Sequence, residues 1–193
     1  MKGQGMNGDG DNACPSEEMA AIISATRADP LRGLARMDEA LEACPRDARL
    51  HFLRGSVLAG LARYAEAHGA MATAVAIAPD FGVARFQLGF LELTSGDAAA
   101  AQTTWRPLER LAPMDPLRVF VEGLRHLIND RFAEAVQALE RGIDLNDENP
   151  SMNADMQLII EKLKPLTLGP AAAEPVSAAQ LLLRQFTDKT TRH

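Results

Sequence analysis

Apolar side chains recur at three- and four-residue intervals along most of this chain, the spacing that places them on one face of a helix. Met152, Met156, Ile159, Ile160 and Leu163 make the plainest stripe. Ala179, Leu182, Leu183 and Phe186 make a second, shorter one. Prolines and aspartates punctuate the pattern. Asp29-Pro30 and Asp115-Pro116 each put a capping carboxylate before a proline, whose missing N–H is no loss in a first helical turn. Asp97 and Asp130 follow turn signals and are expected to cap in the same way. The pattern predicts helices near 16–28, 30–43, 48–61, 64–77, 82–94, 97–111, 116–129, 131–145 and 151–164, with a short one at 177–187.

A longer period overlies the helical one. Pro45, Pro79 and Pro113 are evenly spaced, and the same interval separates Gly55, Gly89 and Gly123, and again Ala67, Ala101 and Ala135. Three residue types holding one register point to a stacked repeat. Small residues where two helices cross let their backbones approach, and the prolines stop helices by withholding a donor and clashing with the preceding turn. This register resembles the tetratricopeptide repeat, a helix–turn–helix unit with small residues at repeat positions 8, 20 and 27 and proline at 32. The second repeat carries Gly55, Tyr64, Ala67, Ala74 and Pro79. The third carries Leu88, Gly89, Gly96, Ala101, Trp105 and Pro113. The fourth carries Gly123, Phe132, Ala135 and Gly142, with Asp147 in place of the proline. The first is degenerate: it keeps Gly33, Met37, Ala40 and Pro45, but has Ala21 for the position-8 glycine. The resemblance implies an all-α fold, a superhelical solenoid of antiparallel helix pairs, with the helix at 150–164 as its C-terminal cap.

The resulting partition is a disordered tail at 1–15, a repeat array at 16–149, a capping helix at 150–164, a linker at 165–175, and a short amphipathic helix with its tail at 176–193. Pro165, Pro170 and Pro175 mark the linker.

Composition agrees with helices. Apolar residues are 47% of the chain and aromatics only 5%, a mix that suits helices better than sheets. The net charge of −6 and the lack of a Lys/Arg cluster argue against nucleic acid and against a basic membrane-surface helix. No stretch is long and apolar enough to span a membrane. The opening MKGQGMNGDGDN holds no apolar core of a signal peptide. Cys14 and Cys44, far apart in sequence, make no disulfide framework and read as reduced thiols, so a cytoplasmic protein is expected.

The chemistry-bearing residues do not assemble into a catalytic set. No phosphate-binding loop, zinc-ligand pairing or nucleophile elbow is present. Asn7–Glu18 and Asp144–Asp155 space their carboxylates somewhat as calcium loops do, but neither has the glycine that the sharp turn needs. No enzyme activity, cofactor or metal is expected.

The resemblance places functional residues on the concave side, lined by the first helix of each repeat. Positions 2, 5, 9 and 12 yield Arg49, Phe52, Ser56 and Ala59 in the second repeat, of which Arg49 and Phe52 are the candidates for ligand contact. In the third they yield Val83, Phe86, Phe90 and Leu93, and in the fourth Leu117, Phe120, Leu124 and Leu127. Leu53, Val57, Leu88, Leu91, Leu108, Leu111 and Leu139 are expected to fill the core, leaving these residues as a surplus apolar surface. The expected function is a protein-interaction module: an adaptor, assembly factor or chaperone holding an apolar peptide or amphipathic helix in that groove. The alternative is a structural subunit of a larger secretion or envelope assembly. For the helix at 176–187, three docking places stand open: the groove, the capping helix or a second copy in a homodimer.

Overall fold

A computed structural model describes residues 13–167. Its helices are α1 Ser16–Ala28, α2 Pro30–Ala43, α3 Ala48–Gly60, α4 Tyr64–Ile77, α5 Gly82–Thr94, α6 Ala98–Trp105, α7 Pro116–Ile128, α8 Phe132–Leu145 and α9 Pro150–Thr167. There is no strand among the described residues. Helices pair in sequence order, α1 with α2, α3 with α4 and α7 with α8, and α9 closes on α8. The chain divides into two compact units, one running through Ala84 and the other starting at Arg85.

Three of the four expected caps form. Asp29 accepts the N–H of Leu31 at 2.9 Å, and Asp115 that of Leu117 at 2.9 Å. Asp97 accepts the N–H of Ala100 at 2.9 Å. Asp130 departs from expectation. It takes φ 55° and ends the turn after α7, while Arg131 precedes α8 with no side-chain cap bond.

That turn recurs. Ala62, Gly96 and Asp130, at the same place in successive repeats, hold φ 57°, 93° and 55°. In the first, Arg63 N–H reaches Leu58 O at 2.9 Å and Ala62 N–H reaches Ala59 O at 3.0 Å. Asp97 and Gly96 bond to Glu92 O and Leu93 O in the same way, as do Arg131 and Asp130 to His126 O and Leu127 O. This paired bonding is the Schellman motif, which satisfies carbonyls that a helix end would otherwise orphan.

The repeat's small residues sit where helices cross. A Cβ on Gly55 would lie 2.6 Å from Met71 Cγ, and one on Gly123 would lie 2.7 Å from Leu139 Cδ2. On Gly89 it would lie 2.6 Å from Trp105 Cε2, inside the indole. Ala67, Ala101 and Ala135 are fully buried. The second helix of the third repeat differs from the single span expected at 97–111. It is α-helical only to Trp105 and continues as a 3-10 helix, Arg106–Arg110. Pro107 has no N–H for the α-helical ladder, so the tighter winding replaces it.

In α9 the expected stripe is the buried face: Met152, Met156, Ile159, Ile160 and Leu163 are each 0–1% exposed. Gln157, Glu161 and Lys164 lie outward, and Lys164 pairs with Glu140 at 3.1 Å. The helix runs through Pro165 to Thr167, into the expected linker. At the other end, Ala13, Cys14 and Pro15 of the expected tail are among the described residues; Cys14 is buried and its N–H donates to Asp47 Oδ2 at 2.8 Å. The tail before residue 13, the rest of the linker and the helix at 177–187 lie outside the described residues.

Candidate interaction surface

The first helix of each repeat carries the residues expected to face a ligand, and each unit is taken by itself. In the first unit Asp47 caps α3 by accepting Arg49 N–H at 2.9 Å. The Arg49 side chain folds back on the same carboxylate, Nε to Oδ1 at 3.1 Å and Nη2 to Oδ2 at 2.6 Å, and Nη2 also donates to Cys14 O at 3.1 Å. Burial pushes the Asp47 carboxyl up, but the hydrogen bonds from Arg49 and Cys14 and the guanidinium charge outweigh it and hold the group below its ordinary value. Phe52 is half-buried, its ring edge-on to Phe81 with centroids 5.1 Å apart. Val83 is half-buried as well.

In the second unit the aromatic residues cluster. The ring of Phe86 lies 6.3 Å from Phe90, 6.2 Å from Trp105 and 5.9 Å from Phe120. Trp105 Nε1 donates to Phe86 O at 3.0 Å, which satisfies a buried indole donor. Phe86, Phe120, Leu124 and Leu127 are fully buried and Leu93 is 1% exposed, while Phe90 and Leu117 are half-buried.

Solved structures of MamA share this arrangement of helix pairs. MamA 41-end from Desulfovibrio magneticus RS-1 superposes with a TM-score of 0.55 and 16% identity, over 81% of this chain and 100% of that one. The MamA RS-1 ArsTM double mutant superposes with a TM-score of 0.57 and 15% identity, over 93% and 99%. MamA contains tetratricopeptide repeats. The fold is that of the tetratricopeptide repeat. No protein-family model matches the chain, and no curated protein matches it by sequence.

In the tetratricopeptide frame, five of the expected groove residues change place. Phe86, Leu93, Phe120, Leu124 and Leu127 have no surface to offer a ligand, so they belong to the core. The fourth repeat supplies the reason. A Cβ on Gly142 would fall 2.5 Å from Phe120 Cδ1, so the small residue at position 27 leaves the space that the position-5 ring fills. Conversely, Leu53, Val57 and Leu111, expected to be core, are only half-buried. The tetratricopeptide residues left with exposed surface are Arg49, Phe52 and Val83 in the first unit and Phe90 and Leu117 in the second.

Sequence reasoning missed the Asp47 junction, because a carboxylate just before Arg49 looks like an ordinary cap. It also missed a charged cavity of about 370 Å³ in the second unit. Arg125, paired with Glu109 at 2.6 Å, and His126 line it with Arg118 and Arg131. Asn146, inside one of the acidic spacings, is occupied internally: Nδ2 donates to Asn149 O at 3.0 Å and to Asn153 Oδ1 at 2.7 Å. No described helix is long and apolar enough to cross a membrane.

Proposed function

We propose that this chain is a protein-interaction module, an adaptor, assembly factor or chaperone acting in the cytoplasm, that holds an apolar or amphipathic segment of a partner. The observation that carries the reading is the partly exposed apolar residues at ligand-facing repeat positions, Phe52 and Val83 in one unit and Phe90 and Leu117 in the other. Apolar side chains kept partly in water on a helical scaffold are what an amphipathic helix docks against. Arg49 adds a guanidinium that is half exposed even while it holds Asp47. The repeat fold of the MamA structures supports the same class of role.

Site-specific photo-crosslinking tests the proposal. A crosslinking residue at Phe90 or Leu117 should capture a partner in cells, whereas one at Thr73 or Ser95, outside these positions, should not. Equal capture from all four positions would sink it. A second reading, a structural subunit of a larger assembly, draws on Leu31 and Met114, which are 62% and 63% exposed and lie outside the groove positions. Capture from those two residues alone would favour it.

A further inference from the structure

Cys14 and Cys44 are far apart in sequence, yet the fold brings them together. Asp47 joins them. Its Oδ2 accepts Cys14 N–H at 2.8 Å, and its own N–H donates to Cys44 O at 3.2 Å. The two thiols lie near enough for each to act on the other's charge. Cys14 is buried and Cys44 is half-buried at the end of α2. The repeat does not ask for sulfur there. One and two periods on from Cys44, the same position holds Ala78 and Ala112. Cysteine replaces alanine at the one turn that meets a second cysteine.

We propose that Cys14 and Cys44 form a reversible disulfide that staples the chain ahead of α1 to the end of α2. The oxidant is a low-molecular-weight disulfide. The thiolate of Cys44, the more accessible partner, attacks one of its sulfurs, expels one small thiol and leaves a mixed disulfide. The thiolate of Cys14 then attacks the Cys44 sulfur and expels the second small thiol. The two protein thiols lose two electrons and two protons in all, and the small disulfide gains them. The new bond encloses α1 and α2 in one loop, which restricts the unfolded chain far more than the folded one. Burial raises the Cys14 thiol above its ordinary range; the negative charges of Asp47 and Glu18 raise it further and persist once Cys44 is in the mixed disulfide, while the facing cation, Arg49, is engaged by Asp47. Ring closure is therefore the slow step, because only a thiolate attacks.

The test uses the full-length reduced protein treated with oxidised glutathione and followed by intact-mass and peptide-mapping mass spectrometry. Wild type should lose two hydrogens and link the Cys14 and Cys44 peptides, with no lasting adduct. Cys14→Ala should instead keep one glutathione on Cys44, and Cys44→Ala should stay unmodified. Closure should quicken about tenfold per pH unit through neutral pH. The oxidised protein should melt several degrees above the reduced one, and a thiol reductant should reverse the shift. A lasting glutathione adduct on wild-type Cys44, or no reaction in both wild type and Cys14→Ala, would overturn the proposal. So would a lower melting temperature on oxidation.

Discussion

Ala62 holds a left-handed backbone that its counterparts one and two repeats later give to Gly96 and Asp130. A β-carbon makes that conformation costly, whereas glycine adopts it freely. Ala62→Gly should therefore stabilise the protein by about 0.5–1 kcal/mol, part of the relief being offset by the freer unfolded chain. A rise in the urea midpoint at unchanged m-value would register it. The neighbouring pair Phe86 and Phe90 separates core from surface. Phe86→Ala should cost about 3–5 kcal/mol, the range for emptying a buried aromatic site. Phe90→Ala should cost clearly less in the same denaturation assay and weaken partner binding more. Single residues were the least legible level in the sequence. A phenylalanine at position 5 reads alike in all three repeats, and only the partner across the hairpin decides its burial. Gly142 was the available signal, since a missing side chain opposite an aromatic is a place for a ring.

Helices were far more legible, because their ends are written in local chemistry. Asp-Pro pairs marked the starts of α2 and α7, and the evenly spaced Pro45 and Pro79 followed the ends of α2 and α4. The exceptions were local too: Pro107 shortens α6 where the apolar pattern runs on, and Asp130 aligns with Gly96, not Asp97. Helix crossings lead to a firm prediction. Gly89→Leu should destabilise by about 1–3 kcal/mol or more, since even its Cβ would enter the Trp105 ring. A thermal midpoint matching wild type would contradict this packing. The Asp47 junction, which ties the start of α3 to the residues before α1, leads to another. Its folded carboxyl titrates below its unfolded value, so its contribution is complete above the ordinary carboxylate range and fades as pH falls through the folded value. Asp47→Ala should lose about 2–4 kcal/mol at neutral pH, from a cap and charged hydrogen bonds together. The difference from wild type should shrink in acid, as stability curves from about pH 7 down to about pH 2 would reveal.

At the scale of the molecule, the repeat class was legible because a period survives the variation of any one position. Which of the expected groove residues keep exposed surface was not, because burial depends on contacts between elements that a linear pattern cannot count. Arg49, Phe52, Val83, Phe90 and Leu117 keep exposed surface; their five companions close the core. One feature of that core gives the protein a built-in optical probe. The sequence holds a single tryptophan, Trp105, fully buried in the second unit and hydrogen bonded to the carbonyl of Phe86. Its emission reports on that unit alone, while far-ultraviolet dichroism averages over every helix. If the two units melt independently, the two signals will trace different curves in denaturant; if they melt as one, the curves will superimpose. The chain thus carries, without any label, the means to measure how far cooperativity extends along its own repeats.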